Sequence, residues 1–97
     1  MIYLFHPEAG IELEEQAAWY EARRRGLGAE LLAEVRGTLE RLAEQPLLGS
    51  SVPASPARRM PLASFPLAVV YFAGQDTLFV VAIAHSRRRP GYWRGRL

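Results

Sequence analysis

The sequence predicts one α+β domain, in which a strand, two helices and three further strands follow one another and the helical hairpin covers one face of an antiparallel sheet. Apolar residues recur at helical spacing across residues 7–45, and β-prone runs stand at the start of the chain and after residue 57. A length of 97 residues leaves room for one core. The chain shows no repeat, so residues 1–97 are expected to form a single domain.

The first half of the chain predicts a strand followed by the helical hairpin. Residues 2–5 form a short β-prone run, and Pro7 and Glu8 after it suit the first turn of a helix. Gly26 ends this helix, and an apolar stripe indicates a second helix over about Gly28–Gln45. Because the connection between them is so short, the two helices should lie antiparallel.

The second half predicts a loop and three strands. Residues 46–57 are rich in proline, serine and glycine and are expected to form a loop. Residues 58–63 read as an edge strand, because Pro61 has no N–H for a central ladder. Residues 67–73 and 77–84 are apolar enough for buried strands, the second of them central. Short connections make these three strands an antiparallel meander.

The net charge of +2 conceals two halves of opposite sign. Residues 1–49 carry nine glutamates and five arginines, a charge of −4, whereas residues 50–97 carry seven arginines and one aspartate, a charge of +6. All twelve basic residues are arginines, whose planar guanidinium suits phosphate, carboxylate and aromatic partners. A basic half of this kind indicates an acidic partner, either a nucleic acid or an acidic peptide.

Composition also limits where the protein acts and what it binds. Without cysteine the chain has neither disulfides nor thiolate ligands, and its two histidines lie far apart, so we expect no metal site. Neither a glycine-rich phosphate loop nor a nucleophile elbow is present, and no cofactor is expected. We see no signal peptide and no apolar run of membrane-spanning length. These features predict a cytoplasmic protein.

The C-terminal tail, His85 to Leu97, is the densest candidate site, with five arginines, two large aromatic residues and a histidine. The arginines suit an acidic partner. Tyr92 and Trp93 either stack on a ligand or, as we favour, cover the edge of the core. His85 has the side chain of an acid–base catalyst, yet no orienting carboxylate stands near it in the sequence, which favours a structural role.

Several ordered segments resemble the RelE/ParE superfamily of bacterial toxins. They are His6-Pro7-Glu8-Ala9, Ala18-Trp19-Tyr20, Gly26-Leu27-Gly28, Phe65-Pro66, Val70-Tyr71, and Ala84 through Trp93. The resemblance spans the whole chain and implies the toxin of a type II toxin–antitoxin module, held inactive by a cognate antitoxin in a hetero-oligomer. RelE-like members cut mRNA on the ribosome, whereas ParE-like members act on DNA gyrase without being nucleases.

The central strand bears on the choice between these subclasses. RelE-like cleavers commonly carry an arginine a few residues before the tyrosine of the Val-Tyr pair, where this chain has Ala68. Losing that cation would remove phosphate stabilisation from the transition state. The Arg-Arg-Pro-Gly-Tyr-Trp ending also looks closer to ParE-like proteins. We therefore expect a gyrase inhibitor that is not an enzyme. The alternatives are a metal-independent mRNA endonuclease and a degenerate member that has lost toxicity.

The resemblance assigns two sets of site residues. Under the endonuclease alternative the catalytic residues would be His85, Arg88 and Tyr92. The residues expected to bind the target or the antitoxin are Arg58, Arg59, Arg87, Arg88, Arg89, Tyr92, Trp93 and Arg94.

Overall fold

The computed structural model describes residues 1–97 and consists of two helices and a five-stranded sheet. In chain order the elements are β1 (Ile2–Phe5), α1 (Pro7–Arg23), α2 (Leu27–Glu44), β2 (Ser50–Ser51), β3 (Arg58–Pro61), β4 (Leu67–Ala73), β5 (Thr77–His85) and a 3₁₀ turn (Arg94–Arg96). Across the sheet the strands lie in the order β1-β5-β4-β3-β2. Neither helix is long and apolar enough to cross a bilayer.

The sheet confirms the α+β class and the β3-β4-β5 meander but is mixed, not antiparallel throughout. β1 runs parallel to β5, with Ile2 opposite Thr77 and Phe5 opposite Val80. The direction follows from the path of the chain. The helical hairpin returns the chain to the end of the sheet where β1 finished, and β2 then carries it back before β3 starts. β5 is central as expected, because it lies between β1 and β4.

A two-residue strand occupies the segment that the sequence predicts to be only a loop. β2 pairs antiparallel with the start of β3, with Ser50 opposite Arg59 and Ser51 opposite Arg58. β3 is therefore an edge strand only beyond this pairing, where Met60 and Pro61 have a neighbour on one side alone. Proline is tolerated at that position because no further strand requires an N–H from it.

The connection between the two helices depends on glycine. Gly26 has a φ of 89°, in the left-handed region that glycine adopts readily. At Gly28 a Cβ would stand 2.7 Å from the carbonyl oxygen of Ala17, so only glycine allows the helices to approach this closely. The Glu21 carboxylate accepts hydrogen bonds from the N–H groups of both glycines, at 2.9–3.1 Å for Gly26 and 3.0 Å for Gly28. These bonds lower the pKa of Glu21.

The two faces of the sheet are packed differently. On one face the helices bury a large apolar core, to which β4 contributes alternate residues and β5 contributes residues on either side of a shift in register. The helix-side core consists of Ala9, Leu31, Val35, Leu39, Leu42, Leu62, Phe65, Leu67, Val69, Tyr71, Leu78, Val80 and Ile83. The open face carries a smaller cluster of Ala57, Val70, Val81, Ala82, Ala84 and Trp93. The C-terminal tail thus supplies the largest side chain on the face that the helices leave uncovered.

Tyr71 ties the loop after α2 to the middle of the sheet. Its ring is completely buried, and its hydroxyl donates to the carbonyl of Pro46 at 2.8 Å and accepts from the N–H of Gly49 at 2.9 Å. A Cβ on Gly49 would come within 2.7 Å of that hydroxyl oxygen. Glycine is therefore required where the loop crosses the tyrosine, and the position of β2 depends on this contact.

We expect Tyr71→Phe to lower the free energy of unfolding by about 1–3 kcal/mol, because the buried N–H of Gly49 and the carbonyl of Pro46 would both lose their partner. Urea denaturation followed by circular dichroism measures the change. Tyr3→Phe is the matched control, because Tyr3 is exposed and its hydroxyl makes no hydrogen bond within the chain. Equal midpoints for the two variants would contradict this role of Tyr71.

Candidate binding cleft and C-terminal tail

The open face of the sheet bears a cleft of about 430 Å³. Its lining comes from β2 and the loop after it, from Arg59 on β3, and from most of residues 84–94. No carboxylate lines the cleft. It therefore gathers basic and polar side chains from the predicted tail and from β3, and these side chains form a cationic surface.

Trp93 forms part of the floor of this cleft and is only 4% exposed. Its ring belongs to the same buried cluster as Val70, Ala82 and Ala84. Ala68 lies opposite Ala84 in the register and is fully buried. Small side chains on β4 and β5 therefore leave room for the indole. This burial agrees with the interpretation that the aromatic residue covers the edge of the core, and it leaves the ring unavailable for stacking.

Two of the candidate arginines hold the loop around β2. Arg58 donates to the carbonyl of Gly49 at 2.8 Å and to that of Leu47 at 3.3 Å. Arg94 donates to the carbonyl of Pro53 at 3.1 Å. These guanidinium groups satisfy backbone oxygens of the loop, so both side chains are held in place by the protein, although each keeps further N–H donors unpaired.

The side chains of the other candidate arginines make no hydrogen bond or ion pair with the protein. Arg59, Arg88 and Arg89 line the cleft, and Arg87 directly precedes Arg88 in the sequence. All four side chains are exposed. The Arg88 guanidinium lies 3.8 Å from the centroid of the Tyr92 ring, a cation–π contact that leaves its N–H donors free. The contacts thus distinguish these four side chains from those of Arg58 and Arg94, which bind the loop around β2.

The tail is anchored by a carboxylate from the first helix. Oε1 of Glu12 accepts from the backbone N–H of Ile83 at 3.0 Å, and Oε2 accepts from the Tyr92 hydroxyl at 2.7 Å. Arg96 binds both carboxylate oxygens, each at 2.9 Å, and also donates to the carbonyl of Val81 at 3.1 Å. The carboxylate therefore joins α1, β5 and the 3₁₀ turn.

This ion pair completes an edge of the sheet. β1 ends at Phe5, and the last hydrogen bond on that side of β5 runs from the N–H of His6 to the carbonyl of Val80 at 2.9 Å. β5 continues to His85, so its next backbone groups have no strand beside them. Glu12 and Arg96 take the place of that strand, since one accepts from β5 and the other donates to it.

The surroundings of Glu12, Tyr92 and Arg96 shift the pKa of each side chain. Burial alone would raise the pKa of Glu12, but the hydrogen bonds from Arg96, Tyr92 and Ile83 outweigh it and lower that pKa. Burial, together with the bond to Glu12, raises the pKa of Tyr92 to about 12. The bond to Glu12 raises the pKa of Arg96. At neutral pH the site therefore holds a carboxylate, a neutral phenol and a guanidinium.

His85, Arg88 and Tyr92, the residues expected under the endonuclease alternative, do line the same cleft. Nδ1 of His85 accepts from the backbone N–H of Arg87 at 3.0 Å, so its Nε2 is the nitrogen left for a ligand. The Tyr92 hydroxyl is occupied by Glu12. No group of three or more acidic or histidine side chains in the chain could hold a metal ion.

Sequence reasoning missed Glu12. Glutamates on a surface helix usually form a solvated face, but the Glu12 side chain is only 12% exposed, and Glu21 binds the connection between the helices. One local signal was available. Glu12 stands three residues after Ala9 and next to Leu13, both of which point to the core, so its side chain emerges at the margin of the buried face.

We expect Glu12→Gln to lower the free energy of unfolding by about 2 kcal/mol at neutral pH, because an amide cannot accept from three donors and leaves Arg96 without its counter-ion. Urea denaturation measures the loss, and hydrogen exchange should show faster exchange in residues 91–97. Glu15→Gln is the control, because Glu15 is exposed and makes no such bonds. Similar losses in the two variants would contradict the anchoring role.

The same pair of variants predicts a pH dependence. The folded pKa of Glu12 lies below its usual 4.5, so its contribution is complete above that value and is lost as the pH falls through the folded pKa. The stability difference between the natural chain and Glu12→Gln should be constant near neutral pH and shrink in acid. A difference that persists unchanged well below pH 4 would contradict the charge as its cause.

Comparison with known proteins places the chain in a family. The profile of the family described as "ParE toxin of type II toxin-antitoxin system, parDE" matches residues 3–90. No curated protein matches the sequence. A structure of a chromosomal ParDE TA system from P. aeruginosa is similar in fold, with a TM-score of 0.61 and 14% identity over 88% of this chain and 95% of that chain. The chain therefore belongs to the ParE toxin family of type II toxin–antitoxin systems.

Proposed function

We propose that this protein is a toxin that inhibits DNA gyrase by binding, without cleaving a nucleic acid, and that a cognate antitoxin neutralises it in the bacterial cytoplasm. The observation that carries the proposal is the tail itself. Its aromatic side chains serve the fold, while Arg59, Arg87, Arg88 and Arg89 remain free around the cleft. Such a surface binds an acidic partner by charge and does not require a catalytic group.

The state of Tyr92 supports a binding protein over a nuclease. Metal-free RNA cleavage requires a base for the 2′-hydroxyl and an acid for the leaving oxygen. The Tyr92 hydroxyl donates to Glu12, and its pKa of about 12 keeps it protonated at neutral pH, so it is a poor base. His85 alone would have to serve both steps.

Ala68 supports the same conclusion. It lies on the open face of β4, where it is fully buried beside Ala84. A methyl group offers no charge to the developing phosphate dianion, and one missing donor of this kind typically costs about 3 kcal/mol in the transition state. The arginine that the cleaving subclass commonly carries therefore has no counterpart on this strand, and the remaining cations lie at the rim of the cleft.

The family supports the antitoxin partner, because its members belong to two-component toxin–antitoxin systems. The same cationic surface offers the antitoxin a place to bind. Neutralisation would follow if an acidic antitoxin segment covered Arg88 and Arg89, because the target would then lose access to the cleft.

We expect the purified chain to inhibit supercoiling by gyrase and to accumulate the enzyme's cleaved-DNA complex. The double variant Arg88→Ala/Arg89→Ala should lose at least tenfold in potency, because both side chains are free and line the cleft. Agarose-gel assays of supercoiling and of linear DNA measure the two effects. Arg25→Ala/Arg36→Ala is the matched control, since it removes the same charge from two exposed positions far from the cleft in sequence, one in the turn between the helices and one on α2. No inhibition by a stoichiometric excess of the natural chain would exclude gyrase as the target.

A ribosome-dependent endonuclease is the second candidate, since His85, Arg88 and Tyr92 line one cleft. It predicts codon-phased cuts in translated messages when the toxin is expressed without antitoxin, and loss of both cuts and growth arrest in His85→Ala. Primer extension on a translated message measures the cuts. Growth arrest with intact messages would exclude this candidate, and unimpeded growth would indicate a member that has lost toxicity.

A further inference from the structure

We propose that the cleft binds the phosphodiester backbone of double-stranded DNA through Arg59, Arg88 and Arg89. The inference rests on the proposed function and deepens it, because the DNA held by gyrase would then be part of the toxin's binding site. The toxin would recognise the enzyme with its duplex, and the cleft would supply the contact to the duplex.

The first argument for DNA is the positive charge of the cleft. Arg59 comes from β3, and Arg88 and Arg89 come from the segment after β5, so the cations approach from strands that β4 separates. None of the three is paired with a carboxylate, and none of the lining residues is acidic. A concave surface of one sign concentrates its potential, which attracts a polyanion strongly.

The donors in the cleft suit phosphate better than they suit a peptide. Besides these three guanidinium groups and that of Arg94, the lining includes the serine residues Ser50, Ser51 and Ser86. Arginine and serine are common donors to phosphate oxygens in protein–DNA interfaces. Among the apolar lining residues Ala84 and Trp93 are buried and Pro53 and Pro90 are exposed, so the preference for phosphate rests on the donors and not on a lack of apolar surface. This combination favours a nucleic-acid backbone.

The aromatic residues decide between duplex and single strand. Single strands are recognised largely by bases stacking on exposed rings. The ring of Trp93 is 4% exposed, and the Tyr92 ring carries the Arg88 guanidinium 3.8 Å from its centroid while its hydroxyl is bound to Glu12. Because neither of these two rings is free for a base, the guanidinium contact is restricted to the backbone and is independent of sequence. A duplex, whose bases are already stacked, satisfies that restriction.

The test is fluorescence anisotropy of the full chain with a labelled duplex of 20 base pairs, titrated from 50 to 200 mM NaCl. Three phosphate contacts predict that log Kobs falls against log salt with a slope of about −2.7. Each of Arg59→Ala, Arg88→Ala and Arg89→Ala should reduce that slope by about 0.9, whereas Arg59→Lys, Arg25→Ala and Arg36→Ala should leave it unchanged. Two duplexes of unrelated sequence should bind equally, and circular dichroism confirms that each variant is folded.

Three results would overturn the proposal. The first is no binding of the duplex at 50 mM salt. The second is tighter binding of a single strand of the same length, lost in Tyr92→Ala. The third is equal binding of polyglutamate matched in charge, which would make the cleft a site for acidic peptides. A gyrase supercoiling assay with the same preparations separates this proposal from the proposed function. Inhibition of gyrase without duplex binding refutes only the DNA contact, and duplex binding without inhibition refutes only the gyrase target.

Discussion

The ion pair between Glu12 and Arg96 links two residues that are 84 positions apart and holds the end of the chain against the first helix. It replaces a strand along the exposed side of β5, where Ile83 and Val81 would otherwise present unpaired backbone groups. The carboxylate also receives the Tyr92 hydroxyl. Because both side chains are more than four-fifths buried, the charges interact with little screening by solvent.

The arrangement of the cleft follows from that constraint. With Tyr92 and Arg96 held by Glu12, the residues between them turn Trp93 onto the small side chains of the open face. The arginines that precede Tyr92 are then left at the rim, where Arg88 rests on the tyrosine ring. The fold thus packs or anchors the aromatic residues of the tail and leaves the guanidinium groups of Arg87, Arg88 and Arg89 without a hydrogen bond or ion pair in the protein.

The elements that the sequence predicted correctly are those with strong local signals. Strands over 67–73 and 77–84, and helices bounded by Pro7, Gly26 and Pro46, require only periodicity and residues that start or stop an element. The short β2 and the parallel direction of β1 were missed because they depend on a neighbouring strand that local sequence does not specify. Glu12 was missed for the same reason, since its partners lie at the opposite end of the chain. The sequence pointed to the arginines as one group. Only the contacts in the structure distinguish Arg58 and Arg94, which bind backbone carbonyls, from Arg59, Arg87, Arg88 and Arg89, whose side chains have no such partners.

The small side chain of Ala68 and the buried position of Trp93 are related through the packing of the open face. Ala68 is paired with Ala84, which packs in the same cluster as the indole, and both alanines lie on the face that the tail covers. An arginine at position 68 would extend into the space next to that cluster and would have to bury its charge or displace the ring. Displacing Trp93 would in turn strain the segment that joins Tyr92 to Arg96, and with it the anchor on Glu12. A tail packed in this way therefore leaves no room for a cation at position 68 of β4, so the burial of Trp93 and the small residue at that position depend on each other.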